Sequence, residues 1–185
     1  MARQSQTDLA VLGALSIEPM TGYELRQAIT EVLGHFWHES FGQIYPCLAN
    51  LQQLGFVRST SADRSSTYRI TAAGLRELAR RLRDEPERQQ PRNATLLRVF
   101  FGASLDEDDL VAILDRTERQ AREQLATLAA AREQIANGTH NAAHGRYWLA
   151  TVSAGEHAAR AQLDWVNETR TTLLAPQLSS GRDSP

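Results

Sequence analysis

The chain has 185 residues, 42% of them apolar, and a formal net charge of −2, which allows one large domain or two small ones with real cores. No apolar run approaches the ~20 residues that cross a bilayer, and residues 9–17, though apolar, lead into Glu18-Pro19 rather than a small-residue cleavage site. A membrane anchor and a secretory leader are thereby excluded as expectations, the cytoplasm is the expected location, and the lone Cys47 excludes an internal disulfide framework. Charge is unevenly spread: residues 1–83 carry nine Arg against seven acidic residues, residues 84–185 eleven Arg against fifteen, and there is no Lys.

The first expected element is a helix over residues 9–17, nearly all apolar and so buried on most sides. Pro19 stops it. Thr21-Gly22-Tyr23-Glu24 has capping-box spacing, in which the Thr hydroxyl takes a backbone N–H and the Glu reaches back. The helix it opens carries Leu25, Ile29, Val32 and Leu33 on one stripe, with Gly34 placed to close it. Ser40-Phe41-Gly42-Gln43 repeats the capping-box spacing, and Ile44, Cys47, Leu48, Leu51 and Leu54 then recur at helical period before Gly55. Pro46 lies too far from a Ser40 cap to be harmless, so this helix should kink in its first turn or start later. Residues 56–60 and 67–71 read as a hairpin around a polar tip, with Val57, Tyr68 and Ile70 inward and Arg58 and Arg69 outward. Thr71 caps a helix with Leu75, Leu78 and Leu82 on one face. Three helices, two strands and a helix make a winged helix-turn-helix, expected over residues 1–85.

Residues 86–93 read as a linker, because the polar stretch around Pro86 and Pro91 denies regular helix. Residues 94–185 are expected to be helical. Leu114, Ala121, Leu128 and Ile135 repeat every seven residues beside Leu110, Thr117, Gln124 and Ala131, a diluted coiled-coil seam. Asn137-Gly138 breaks it, and a second long helix from Arg146 to Leu174 keeps Val152, Ala159, Val166 and Leu173 seven apart. Such stripes need each other and, as expected here, a second chain, with Val152, Ala159, Leu163, Val166 and Leu173 as dimerisation residues. The fold class is mainly α with a small β-wing: an N-terminal winged helix-turn-helix and a C-terminal long-helix arm.

Met20-Thr21-Gly22-Tyr23-Glu24-Leu25, then Phe41-Gly42-Gln43-Ile44-Tyr45-Pro46-Cys47-Leu48-Ala49-Asn50-Leu51, then Leu54-Gly55-Phe56-Val57 and Tyr68-Arg69-Ile70-Thr71-Ala72-Ala73-Gly74, resemble the PadR family in order and spacing. Leu97-Arg98-Val99-Phe100-Phe101-Gly102, Tyr147-Trp148, Gly155 and Trp165 are similar, more loosely, to the family's helical dimerisation domain. The resemblance implies a cytoplasmic regulator, usually a repressor, that binds double-stranded operator DNA as a homodimer and releases it when a small molecule binds. The same Tyr-Pro pair occurs in the family, so Pro46 departs from helix rules and not from the family.

The residues themselves point the same way. With the apolar positions of the third helix inward, Gln43, Tyr45, Pro46, Ala49, Asn50 and Gln53 remain on its open side or flanks. Gln and Asn can bridge adenine, Tyr can donate to phosphate, and a helix N-terminus attracts it. The expected DNA-binding set is Thr21, Tyr23, Ser40, Gln43, Tyr45, Pro46 and Asn50, with Arg58, Arg64 and Arg69 of the wing reaching phosphates or the minor groove. A merely solvated helix face and a solvated hairpin are the bland alternatives. Phe36, Trp37 and His38, with Tyr147 and Trp148, form the candidate wall for a small aromatic or hydrophobic effector, or else glue between domains.

The pairs His35/His38 and His140/His144 complete no four-ligand zinc site, and Gly138 and Gly145 point to a loop around the second pair. Asp106-Glu107-Asp108-Asp109 reads as a helix cap rather than a catalytic carboxylate pair. No nucleophile elbow, phosphate loop or Cys-His arrangement is present, so no enzyme activity, metal or cofactor is expected. Two rival readings remain: an interaction module that kept the winged fold without DNA binding, and a protein whose ligand pocket is its purpose.

Overall fold

A computed structural model of the chain describes residues 2–33, 41–60, 66–86, 92–138 and 142–174. Two compact units emerge, Met1–Gln90 and Pro91–Pro185.

The first unit runs α1 (Ala2–Ile17), β1 (Met20–Thr21), α2 (Gly22–Leu33), a 3₁₀ turn (Phe41–Gln43), α3 (Ile44–Gln53), β2 (Val57–Ser59), β3 (Thr67–Ile70) and α4 (Ala72–Arg81). Helix α1 begins well before the apolar run that announced it. Residues 20–21 add an edge strand to the two expected, so the sheet has three antiparallel strands in the order β1-β3-β2, with Met20 opposite Tyr68 and Val57 opposite Ile70. Val11, Leu12 and Leu15 of α1, Leu25 and Ile29 of α2, Ile44, Cys47, Leu48 and Leu51 of α3, Val57 and Leu78 make one core, each large side chain worth roughly 1.5–3 kcal/mol of transfer free energy.

Three leucines expected inward lie outside: Leu54, Leu75 and Leu82 are exposed. Leu54 is the C-cap of α3, and Gly55, at φ 71°, turns the chain away from the helix face. The amides of Gly55 and Phe56 donate to the carbonyls of Gln52 and Leu51, a Schellman closure. In α4 the buried face is Gly74 and Leu78. A Cβ on Gly74 would stand 2.2 Å from the Phe56 carbonyl oxygen, so this close approach sets the rotation of α4 and leaves Leu75 about 100° round the helix from Gly74, while Leu82 is the C-cap where the helix ends.

A largely buried polar chain ties α3 to α1 and α4. The Cys47 thiol donates to Asp8 Oδ1 at 3.0 Å, and Arg81 donates to Asp8 Oδ2 at 3.2 Å and to Glu77 at 2.7 Å. Cys47 thus lies buried with its thiol satisfied, as a packing residue.

The second unit comprises α5 (Ala94–Phe100), a 3₁₀ turn (Gly102–Ser104), α6 (Glu107–Asn137) and α7 (Ala142–Leu174). Asn93 caps α5, and Asp106 caps α6 by accepting from the Asp109 amide at 2.8 Å, so the acidic run is a cap as expected. Helix α7 starts at Ala142 and runs through His144 and Gly145, which corrects the loop expected there; His140 lies outside the described residues. Helices α6 and α7 pair antiparallel. Leu114, Thr117, Ala121 and Leu128 are buried on one side, Val152, Ala159, Val166 and Thr169 on the other. Arg132 bonds Glu156 at 2.9 Å, and Arg170 reaches both Asp115 and Glu118, which locks the register. Among the described residues no helix is long and apolar enough to cross a membrane.

Candidate nucleic-acid interface

Helix α3 has two chemically distinct faces. Ile44, Cys47, Leu48 and Leu51 are buried, whereas Gln43, Tyr45, Pro46, Ala49 and Gln53 are exposed and Asn50 is half-buried. Its start differs from the Ser40 capping box. The α-helix opens at Ile44 behind a 3₁₀ turn, and Gln43 occupies the N-cap without a side-chain bond. Pro46 therefore falls in the first turn, where the N–H it lacks would have had no intrahelical partner. The Gln43 side chain is left exposed at the start of the helix.

Tyr45 is held by a residue that the sequence reading passed over. A Cβ on Gly22 would lie 2.7 Å from Tyr45 Cε1 and 3.1 Å from its hydroxyl, so the ring lies across the glycine at the start of α2. Gly22 is buried and Tyr45 about half exposed. The Met-Thr-Gly-Tyr-Glu motif was legible as a cap only, because nothing local shows which distant ring uses the missing side chain.

Thr21 itself is occupied. Its hydroxyl donates to Glu24 Oε2 at 3.0 Å and accepts from the Glu24 amide at 3.2 Å, while the Thr21 amide donates to the same carboxylate at 2.8 Å. The capping box is real, these bonds hold the Glu24 carboxyl below the usual glutamate value, and Thr21 serves as a brace for α2 with its hydroxyl already engaged. Tyr23 stands beside it, 67% exposed.

The wing adds charge. Arg58 of β2 and Arg69 of β3 are directly opposed in the antiparallel register and both exposed. Like charges placed opposite one another are unfavourable, and among the described residues neither guanidinium has an ion-pair or hydrogen-bond partner. Gln52 fastens α3 to β2 through Ser59 at 3.0 Å, and Thr71 anchors the base of β3 by donating to the Gly55 carbonyl at 2.8 Å. Arg64, Ser40, Phe36, Trp37 and His38, all singled out in the sequence, lie outside the described residues.

In the second unit Tyr147 is exposed, with the Arg146 guanidinium 4.7 Å above its ring and donating to its hydroxyl at 2.8 Å. Trp148 is half-buried and stacks on His144 at 6.0 Å. Of the residues expected at a dimer seam, Val152, Ala159 and Val166 are buried against α6 of the same chain, Leu163 is half-buried and Leu173 exposed. The hairpin closes its own stripe.

Residues 11–80 match the family described as transcriptional regulator PadR-like, and residues 91–173 match the virulence activator alpha C-terminal family. The negative transcriptional regulator PadR of Bacillus subtilis is 26% identical over 133 residues, spanning 68% of this chain and 72% of that protein. The winged unit is thus similar to PadR-like transcriptional regulators and the helical unit to a second regulator family. The fold of the chain is that of Bacillus subtilis PadR solved with operator DNA (TM-score 0.74, 23% identity, 89% of this chain and 97% of that one). That protein has also been solved with p-coumaric acid (TM-score 0.74, 22% identity, 89% and 96%). The Vibrio cholerae virulence activator AphA shares the fold (TM-score 0.70, 19% identity, 91% and 98%). The winged helix with a long helical C-terminal region is thus the fold of these solved structures.

Proposed function

We propose that this chain is a PadR-type regulator that binds an inverted-repeat operator as a homodimer, represses from it, and leaves it when a small aromatic or hydrophobic molecule binds. The observation that carries DNA contact is the exposed polar face of α3 beside two unpartnered, mutually repelling arginines on the wing. A phosphate placed between Arg58 and Arg69 would turn a repulsion into two charge-assisted hydrogen bonds. Gln43, Tyr45 and Asn50 are the residues proposed to meet bases or backbone from α3, with Pro46 and Tyr23 on its flanks. The winged unit is proposed as the DNA-binding domain and the helical unit as the dimerisation and effector domain. The exposed Tyr147 and stacked Trp148 support an aromatic ligand, as does the p-coumaric acid complex of the Bacillus subtilis protein.

The sign of regulation has a second reading. The negative regulator PadR supports repression, but the helical unit matches a family named for a virulence activator, so activation from the same fold is the alternative.

Gel-shift titration tests the DNA reading. Tyr45→Ala and Gln43→Ala should each weaken operator binding by about 1–3 kcal/mol without changing the melting curve. Arg58→Ala or Arg69→Ala should weaken binding to every sequence and flatten the salt dependence by about one counterion each. Parental affinity in all four variants would remove α3 and the wing from the interface.

A further inference from the structure

Asp8 stands where the buried stripe of α1 would take another apolar residue. Val11, Leu12 and Leu15 follow it at helical spacing into the core, and Asp8 is only 5% exposed on the same face. A carboxylate in that position is costly unless it is paired and hydrogen-bonded. Here its two oxygens point to different helices. Oδ2 accepts from Arg81 of α4 at 3.2 Å, and Oδ1 accepts from the Cys47 thiol of α3 at 3.0 Å. Arg81 offsets the charge, whereas a thiol is a weak donor that adds little to it. What the bond to Cys47 adds is direction.

Ile44, Leu48 and Leu51 hold α3 in the core by apolar contact. Burial of that kind is non-directional, so it sets the depth of a helix better than its roll about its own axis. A roll of about 20° carries a side-chain tip on the far side by about 2 Å, at the ~6 Å outer radius of a helix. A hydrogen bond to a base edge tolerates a spread of only about half an ångström. Cys47 lies one turn after Gln43 and one turn before Asn50, so the thiol bond is made at the level whose opposite face is proposed to meet bases. Near the other end of α3, Gln52 bonds Ser59 of the wing at 3.0 Å. Two directional ties then fix the roll, one to α1 and one to the sheet.

We propose that Asp8 is a positioning residue for sequence discrimination: by accepting from the Cys47 thiol it fixes the roll of α3, and with it which base edges Gln43, Tyr45 and Asn50 reach. Asp8 is buried and meets no DNA itself. The proposal rests on the reading of α3 as the face that meets the operator. Sequence-independent binding comes from phosphate contacts, which carry no base information and bear small shifts. Loss of the bond should therefore fall on discrimination and spare the affinity for DNA as such.

Gel-shift titration of the full-length protein at one salt concentration reads this directly. It compares a duplex that the parent enriches from a random-sequence pool with an unselected random duplex of the same length. The parent should prefer the enriched duplex about a thousandfold or more. Cys47→Ala leaves the Asp8–Arg81 pair intact and should cut that preference about tenfold, the discrimination carried by one good base contact. Asp8→Leu should cut it equally, Arg81 keeping Glu77 as its partner at 2.7 Å. Cys47→Ser, whose hydroxyl can donate to the same oxygen, should restore the parent's preference. Leu78→Ala, in the same core on α4, is the control: it should lower the melting temperature, but unfolding removes both kinds of binding together and leaves their ratio unchanged. Parental preference in Cys47→Ala and Asp8→Leu overturns the role of Asp8 while the DNA reading stands. An equal loss in Cys47→Ser and Cys47→Ala also overturns it, since packing and not the bond would then set the roll. A parent that enriches no sequence from the pool overturns both.

Discussion

The winged unit and the helical unit bury their apolar residues in different ways. In the winged unit four helices and a sheet converge, so core positions such as Leu12, Leu48 and Leu51 are enclosed from several directions, and a buried polar chain from Cys47 through Asp8 to Arg81 fixes the helices that carry α3. In the helical unit two long helices share one seam. Its buried residues are spaced seven apart and alternate with small or polar ones such as Ala121, Thr117 and Ala159, and much of its register comes from surface ion pairs. The first arrangement holds α3 in a rigid frame. The second holds a long lever with little redundancy, and leaves apolar surface over for other molecules.

The largest effect should come from cutting the enclosed core. Leu51→Ala removes a side chain that is fully buried and should cost about 2–5 kcal/mol. Scanning calorimetry should show the winged unit's transition falling while that of the helical unit stays, since their cores are separate. A single shared transition that drops as a whole would break the distinction between the units.

A smaller effect should appear in acid, and in both units for the same reason. Arg122 and Arg170 hold the Glu118 carboxyl below the usual glutamate value, and Arg132 and Arg160 do the same to Glu156. Arg80 and Arg81 bring Glu77 in α4 down to about 2. These groups have depressed values when folded, so their contribution is complete above the ordinary glutamate value and disappears as pH falls through the folded one. Stability of both units should be flat from neutrality to about pH 5 and decline below that. Glu118→Gln with Glu156→Gln should flatten the acid dependence of the helical unit and leave that of the winged unit intact. All three carboxylates are near solvent, so the shifts should shrink in high salt.

The sequence exposed the fold through periodicity and capping, both local signals. Thr21 and Glu24, Thr71, and Asp106 all do what their spacing announces, and the late start of α3 followed from Pro46. What escaped it depends on distant partners. Leu75 and Leu82 sit at helical spacing with Leu78, yet the rotation of α4 is set by Gly74 against the carbonyl of Phe56, eighteen residues (74 − 56) back along the chain. The two heptad stripes announced that α6 and α7 need each other, but not how fully Val152, Ala159 and Val166 would be buried within one chain. Strand β1 is two residues long, too short for alternation to register.

The smallest effect on stability, and the sharpest on binding, should come from Gly22. A Cβ added there would meet Tyr45 Cε1 at 2.7 Å, a clash with the far end of an exposed side chain rather than with backbone. The ring can swing into solvent, and alanine in the first turn of α2 restricts the unfolded chain, so Gly22→Ala should change the folding free energy by no more than about 1 kcal/mol. Operator affinity should nonetheless fall about as far as in Tyr45→Ala, roughly 1–3 kcal/mol, because the ring is no longer held in place. The double variant should be no weaker than Tyr45→Ala alone, since both changes remove the same positioned ring. Gly155 of α7 is the counterpart in the helical unit: its added Cβ would meet Leu128 at 3.1 Å in the buried seam, so Gly155→Ala should register in the melting curve of that unit and leave binding to a single half-site untouched. If Gly22→Ala binds like the parent, Tyr45 takes its working position without the glycine seat; if losses in the double variant add, Gly22 meets the operator on its own account.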